Sequence, residues 1–257
     1  MPSLVIDGHR IEYRLDAPRR PGYPTVVFLH EGLGALSAWR DFPDRLAART
    51  GCGVLAYSRW GYGESDRRPL PWPATYLHDE ARTELPALLE QTGITRPILF
   101  GHSDGGSIAL IAAALYPGLA AGIITEAAHV MIETTTTDGL AALANRYTDG
   151  TLRTGLQRVH GDKVDDVFNG WSGVWALPEM RDWTLYADLP NIVCPVLAVQ
   201  GTDDEFGTPA QVEVIVSLVA GPAEPWLIDG CGHTPHRERE EAVLARAAEF
   251  VLGVGSF

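Results

Sequence analysis

Gly101-His102-Ser103-Asp104-Gly105 places a serine two positions from a glycine on either side, the pattern G-x-S-x-G. The preceding apolar run, residues 97–102, predicts a buried strand, and residues 105–116 have the pattern of a helix. A serine on so sharp a strand-to-helix turn takes a strained backbone conformation, and glycine neighbours are needed where strand and helix approach closely. This context predicts Ser103 as the nucleophile. The alternative is an ordinary loop in which Ser103 or Asp104 caps the helix.

Short apolar runs alternate with helical patterns along most of the chain. Such alternation is typical of the α/β class, in which right-handed crossovers build a parallel sheet with helices on both faces. We therefore predict a mostly parallel, eight-stranded sheet that begins with an antiparallel hairpin around Gly8. The predicted strands span residues 4–7, 11–15, 25–30, 54–58, 97–102, 122–126, 193–200 and 225–229. The predicted core helices span residues 38–50, 77–91, 105–116, 210–219 and 237–252.

Residues 131–190, called the cap segment below, interrupt this alternation. They contain no convincing strand but show helical patterns at 138–147, 152–159 and 164–175. An unstructured loop of this length is improbable inside a compact domain. We predict a helical cap inserted into a core formed by residues 1–130 and 191–257. It should cover the carboxyl ends of the strands, where parallel sheets bind ligands.

A serine hydroxyl becomes a good nucleophile only beside a base that a third group orients. His233 is the predicted base, because the glycine-rich turn 229–233 directly follows the last predicted strand. His236 is expected to begin the final helix, whereas His30 and His102 lie beside turns and are expected to be structural. The other histidines have no comparable position: His9, His78, His129 and His160.

The orienting acid should also follow a strand. Residues 201–209 follow the predicted strand 193–200, and Asp204 within them is the predicted acid. Asp203 and Glu126 are the alternatives, since Glu126 ends the strand before the cap segment. The chain order serine, aspartate, histidine differs from that of the unrelated serine-protease folds.

Negative charge that develops on the substrate oxygen needs two rigid donors, and backbone amides in turns meet that need. We expect one from Asp104, directly after the serine. The other is expected from Gly32 in the turn His30-Glu31-Gly32-Leu33-Gly34. The alternative is that this second turn is a plain glycine loop.

Taken together, these motifs resemble the α/β-hydrolase superfamily, in its cap-bearing group of esterases and carbon–carbon bond hydrolases. The resemblance covers nearly the whole chain and implies the α/β-hydrolase fold. The matching motifs are His30–Gly34, Ser58-Arg59-Trp60-Gly61-Tyr62-Gly63-Glu64-Ser65, Gly101–Gly105, Gly201–Asp204 and Gly232-His233.

Two positions depart from the family pattern. Glu31 stands where the family usually has glycine, and Asp104 stands where relatives often have an apolar or amide side chain. The Asp104 carboxylate would be unfavourable near a developing anion unless it points away or is paired. Ser103 argues against the dehalogenases and epoxide hydrolases of the family, which use an aspartate nucleophile.

The resemblance implies a serine hydrolase that cleaves a small ester or related carbonyl substrate through an acyl-enzyme. The alternatives are a carbon–carbon bond hydrolase of ring-cleavage products and a non-catalytic, ligand-binding homologue. Aromatic residues of the cap segment suit an apolar substrate, although they could equally pack the cap onto the sheet. The predicted substrate-binding residues are Tyr147, Trp171, Trp175 and Trp183.

Composition limits the partners. The chain has 20 Lys and Arg and 33 Asp and Glu, which gives a net charge of −13. This charge disfavours binding to nucleic acid and to acidic membrane surfaces. Residues 1–10 lack a signal-peptide pattern, and no apolar run is long enough to span a membrane. We expect a cytoplasmic monomer or homodimer that acts on a small molecule without metal or cofactor. The three cysteines are expected to be free thiols: Cys52, Cys194 and Cys231.

Overall fold

A computed structural model of the chain describes residues 2–254 and contains one eight-stranded sheet. The strands are β1 Ser3–Ile6, β2 His9–Asp16, β3 Thr25–Leu29, β4 Gly53–Tyr57, β5 Ile98–His102, β6 Gly122–Glu126, β7 Val196–Gly201 and β8 Ala223–Ile228. Their spatial order is β1-β2-β4-β3-β5-β6-β7-β8. The strands from β3 to β8 pair in parallel, whereas β2 is antiparallel to both β1 and β4. The predicted fold class and the mostly parallel sheet are confirmed.

Helices cover both faces of the sheet. They are α1 Phe42–Thr50, α2 Tyr76–Asp79, α3 Leu85–Thr92, α4 Asp104–Leu115, α5 Thr134–Thr148, α6 Thr151–His160, α7 Val164–Trp175, α8 Ala210–Leu218, α9 Pro235–Glu238 and α10 Glu240–Val254. In β3, Val26 and Phe28 face α1 and α10, while Val27 and Leu29 face the cluster that contains α3, α4 and α8. A strand buried on both faces has no polar side, which explains its continuous apolar run.

Three predicted helices differ in detail. The predicted helix 77–91 is divided by a π-helical turn, Glu80–Glu84, which ends just before Pro86. Proline has no amide hydrogen for the carbonyl of Arg82, and the Tyr116 hydroxyl donates to that carbonyl instead, at 2.9 Å. The predicted helix 38–50 begins later, because Arg40 has a φ of 51°. The predicted helix 237–252 is interrupted at Arg239, between α9 and α10.

The cap segment contains α5, α6 and α7, followed by short 3-10 turns. Val167 and Val174 of α7 are buried in the same hydrophobic cluster as Leu29 of the sheet. His160 at the end of α6 accepts a hydrogen bond from the amide of Gly63 at 3.1 Å, through Nδ1. The cap helices are thus tied to the core by apolar and polar contacts. The exact domain limits stay a prediction.

Two further findings concern expectations from composition. The cysteines at positions 52, 194 and 231 are free thiols. Of the helices among residues 2–254, none is both long and apolar enough to cross a membrane.

Candidate active site

Ser103 lies on the turn between β5 and α4 with φ 51° and ψ −117°, a conformation that residues other than glycine rarely adopt. Its amide donates to the carbonyl oxygen of Glu126 at 2.8 Å. A Cβ on Gly101 would lie 2.2 Å from the carbonyl oxygen of Gly105, and a Cβ on Gly105 would lie 2.0 Å from that of Leu29. The close approach of strand and helix therefore requires glycine at both positions.

His233 and Asp204 meet across the ends of β7 and β8. Nδ1 of His233 is 2.8 Å from each carboxylate oxygen of Asp204. That carboxylate also accepts from the side chain of Gln200 at 2.6 Å and from the amide of Phe206 at 2.8 Å. An ionised carboxylate can only accept, so Nδ1 carries the hydrogen, and in the neutral ring Nε2 keeps its lone pair. The imidazole is held in the tautomer that a general base requires.

The charge of Asp204 is well compensated. Burial by itself would raise its pKa, but the hydrogen bond and charge of His233 and the amide of Phe206 outweigh burial and lower the pKa. The alternative acids lie elsewhere. Glu126 bonds to Nδ1 of His236 at 2.7 Å, and Asp203 is exposed. Asp204 is thus the one of the three predicted carboxylates that the structure brings to His233.

A cavity of about 340 Å³ separates the cap helices from the strand ends. Ser103, His233, Gly32 and Asp104 all line it. The Ser103 hydroxyl has no hydrogen-bond partner among residues 2–254, so it is free to meet a ligand. The cap contributes an apolar wall of leucines, which are Leu140, Leu143, Leu152 and Leu156. A wider depression of about 590 Å³, at the amino ends of the strands, has neither serine nor histidine in its lining.

The predicted substrate-binding residues divide into two pairs. Trp171 and Trp175 line the cavity. Trp183 does not, and its ring instead packs edge-on against Trp175 at 5.9 Å. Tyr147 is also outside the lining; its half-buried ring stacks on Phe168 at 3.6 Å. Helical periodicity alone does not distinguish the two sides of a helix when aromatic residues occur on both.

The Asp104 carboxylate is buried and paired. It accepts hydrogen bonds from the Tyr76 hydroxyl at 2.7 Å and from the Trp171 indole at 3.4 Å. The guanidinium of Arg59 lies 3.3 Å away, and the Trp175 indole donates to Tyr76 at 2.9 Å. The negative charge next to Ser103 is therefore compensated, and the carboxylate links α7 of the cap to the core.

Two residues near His233 were not predicted to belong to the site. The ring of Phe206 is 4.6 Å from that of His233, and the ring of His129 is 6.1 Å from it. Nε2 of His129 donates to the carbonyl of Phe206 at 3.0 Å. Burial and the neighbouring His233 lower the pKa of His129, which favours its neutral form. His129 lies just beyond β6, so its position after a strand was the available signal.

Among residues 2–254, no group of three or more histidine, cysteine or carboxylate side chains could hold a metal ion.

Comparison with known proteins identifies the family. The model of the "Alpha/beta hydrolase family" matches residues 26–247. The chain is 25% identical to a proline iminopeptidase of Lactobacillus helveticus, with 95% of each chain covered. It is also 25% identical to epoxide hydrolase A of Mycobacterium tuberculosis, with 97% of each covered. The crystal structure of the enol-lactonase from Burkholderia xenovorans LB400 shares the fold, with a TM-score of 0.76, 22% identity, and 97% of this chain and 99% of that chain covered. The family match extends over most of the sequence, and the chain belongs to the alpha/beta hydrolase family.

Proposed function

We propose that this hydrolase cleaves a small carboxylic ester, with Ser103 as nucleophile, His233 as general base and Asp204 as the orienting acid. The proposal is carried by one observation: Asp204 is hydrogen-bonded to the imidazole of His233, and His233 and Ser103 line the same cavity. A nucleophile, a base and an orienting group in this relation form the arrangement that acyl transfer requires.

The reaction has two halves. Oγ of Ser103 attacks the ester carbonyl carbon while its proton passes to Nε2 of His233, and the tetrahedral intermediate collapses as that proton moves to the departing alkoxide. Water then attacks the acyl-enzyme, again with His233 as base, and releases the acid and the free serine. A hydrogen bond between Ser103 and His233 is expected to form in the substrate complex, because catalytic hydrogen bonds are often long or absent before substrate binds.

The amides of Gly32 and Asp104 are the proposed oxyanion donors. Both residues line the cavity beside Ser103, and Asp104 is the first residue of α4, where amides lack acceptors within the helix. Fixed donors stabilise the developing charge without reorganisation. Removal of one such donor typically costs about 100- to 1000-fold in rate.

The apolar wall supports an acyl chain of moderate length as the preferred group. The leucines of α5 and α6 supply it, and two tryptophans of α7 line the same cavity. Relatives include a peptidase, an epoxide hydrolase and a lactonase, so the bond that is cleaved has to be measured. An epoxide hydrolase of the family type would need an aspartate where this chain has Ser103.

Labelling with a fluorophosphonate, followed by mass spectrometry, tests the nucleophile. Ser103 should carry the adduct, and labelling should disappear in Ser103→Ala and fall sharply in His233→Ala. Ser217→Ala, an exposed serine of α8, is the matched control and should label normally. No labelling of the wild type would favour a binding protein without turnover.

Substrate class is tested separately. p-Nitrophenyl esters of two to ten acyl carbons, a ring-cleavage diketone and proline p-nitroanilide should be compared at equal enzyme concentration. We expect the highest kcat/KM on an ester. Preference for the anilide or the diketone, with intact labelling of Ser103, would overturn the ester assignment and leave the nucleophile standing.

A further inference from the structure

His102 connects three turns of the candidate site. It is the last residue of β5, directly before Ser103, and is 2% exposed. Its Nε2 is 2.7 Å from the carbonyl oxygen of His233. Its Nδ1 is 3.6 Å from a carboxylate oxygen of Glu31, in the turn after β3. One imidazole therefore contacts the turn of Gly32, the turn of Ser103 and the loop of the proposed base.

These contacts determine the protonation of the ring. A carbonyl oxygen only accepts, so Nε2 of His102 carries a hydrogen. Nδ1 is buried, has no hydrogen-bond partner in the described part of the chain and faces the Glu31 carboxylate. In a neutral ring, the Nδ1 lone pair would point at that negative charge. A protonated ring replaces this repulsion with an attraction.

The surrounding charges favour the same state. Burial lowers the pKa of His102, but the Glu31 carboxylate and the charge of Glu126 outweigh burial and raise it. The remaining titratable neighbours are His233 and His236, with ring centroids 5.2 and 5.1 Å away, and Nδ1 of His236 is bonded to Glu126. His102 is the ring of this group that faces Glu31.

The turn after β3 accommodates the Glu31 side chain. A Cβ on Gly34 would lie 2.3 Å from its carboxylate. The amide of Gly34 donates to the carbonyl of Glu31 at 3.1 Å, which closes the turn. Glycine at position 34 thus leaves the space that the carboxylate fills next to His102.

We propose that His102 is a positioning residue: as an imidazolium paired with Glu31, it donates to the backbone carbonyl of His233 and fixes the base relative to the adjacent Ser103. The proposal rests on the proposed function. The pairing explains why glutamate stands at position 31, where the family usually has glycine. The Glu31 carboxylate stabilises the charged ring of His102, and that ring compensates the negative charge of Glu31 beside the oxyanion turn. A base displaced by about 1 Å can lose about 100-fold in rate, which is what such a link prevents.

Two variants test the link to His233. In His102→Leu the donor is lost, and kcat on the best ester, together with the fluorophosphonate labelling rate, should fall roughly 10- to 100-fold with little change in KM. In His102→Gln a donor remains, and the rate should recover to within a few-fold of wild type. Wild-type rates in His102→Leu, or equal losses in both variants, would overturn the proposal. Circular dichroism checks that each variant is folded.

The charge of His102 is measured independently of activity. In ¹⁵N NMR of imidazole nitrogens, the wild-type ring should be protonated on both nitrogens at pH 7. In Glu31→Gln it should lose a proton at lower pH than in wild type, while Glu213→Gln, an exposed carboxylate of α8, should behave as wild type. A neutral wild-type ring at pH 7 would overturn the ion pair. If wild-type Ser103 does not label at all, the proposed function fails, and the NMR result still decides the state of His102.

Discussion

In the proposed mechanism, Asp204 has to be both ionised and aligned for His233 to act as a base. Its side chain is fully buried and does not line the cavity, so it influences the reaction only through the imidazole. Substitution to an amide would allow the wrong tautomer of His233, because the amide nitrogen can donate to Nδ1.

Asp204→Asn should therefore lower kcat by about 10⁴-fold, as the equivalent change does in other serine hydrolases, and leave KM nearly unchanged. Steady-state kinetics on the best ester measure both constants. Asp203→Asn is the matched control, since Asp203 is exposed and should lose little activity. A larger loss in Asp203→Asn than in Asp204→Asn would exchange the roles of the two acids.

The turn at Ser103 requires glycine at position 105. Gly105→Ala would drive its Cβ into the carbonyl of Leu29, and we expect a loss of about 1–3 kcal/mol of unfolding free energy together with loss of activity. Gly155→Ala is the control, in the exposed interior of α6 with no atom within 4 Å of the new Cβ. It should stabilise the protein by about 0.5–1 kcal/mol. Urea unfolding of both variants measures the two changes in unfolding free energy. An unchanged unfolding free energy in Gly105→Ala would contradict the close approach of Gly105 to the carbonyl of Leu29.

At the scale of elements, the π-helical turn Glu80–Glu84 has a carboxylate at each end, buried at Glu80 and half-buried at Glu84. Glu80 accepts from the Tyr57 hydroxyl at 2.6 Å, whereas a carboxylate oxygen of Glu84 has no partner within residues 2–254. Burial, and next the charge of Glu80, raise the pKa of Glu84 to about 8. Glu84 is therefore protonated in the folded protein at neutral pH but ionised in the unfolded chain.

Because the pKa of Glu84 is higher in the folded than in the unfolded protein, its contribution to the unfolding free energy is complete below the unfolded pKa of about 4.5. This contribution is lost as the pH rises through about 8. The side chain in Glu84→Gln cannot ionise. The unfolding free energy of this variant should therefore equal that of wild type near pH 4.5 and exceed it above pH 8, by an amount on the order of 2 kcal/mol. Urea unfolding at pH 5, 7 and 9 measures the difference. Glu90→Gln, exposed on α3, should show no such trend. A constant difference across the three pH values would mean that Glu84 is not the titrating group.

At the scale of the whole molecule, the cap segment and the sheet share a hydrophobic core. Val174 of α7 and Val27 of β3 belong to one buried cluster, and both are almost completely inaccessible to solvent. Two parts that bury each other's apolar surface are expected to unfold together.

Val174→Ala and Val27→Ala should each lower the unfolding free energy by about 1–3 kcal/mol and leave a single transition. Tryptophan fluorescence and far-ultraviolet circular dichroism should report the same midpoint in urea. Val193→Ala, at a position that is 57% exposed, should change little. Separate midpoints for the two probes in Val174→Ala would show that the cap unfolds on its own.

Much of the fold was predictable, because each strand and most helices follow from local patterns of apolar residues. The breaks in three helices were not predicted: Pro86 was a visible signal for one of them, but no local pattern indicated the positive φ of Arg40. The inner and outer sides of the cap helices were not predictable either. Trp171 lines the cavity while Tyr147 does not, and only the packing of α5 and α7 against their neighbours separates them.

The sequence by itself determined the α/β class, the family motifs and the turn that presents Ser103, because these depend on residues close together in the chain. Tertiary structure alone decided which distant side chains meet. It selected Asp204 over Asp203 and Glu126 as the partner of His233, it paired Glu126 with His236, and it surrounded the charge of Asp104 with donors from other elements. Such pairings depend on the order of the strands and the packing of whole helices, which no local pattern encodes.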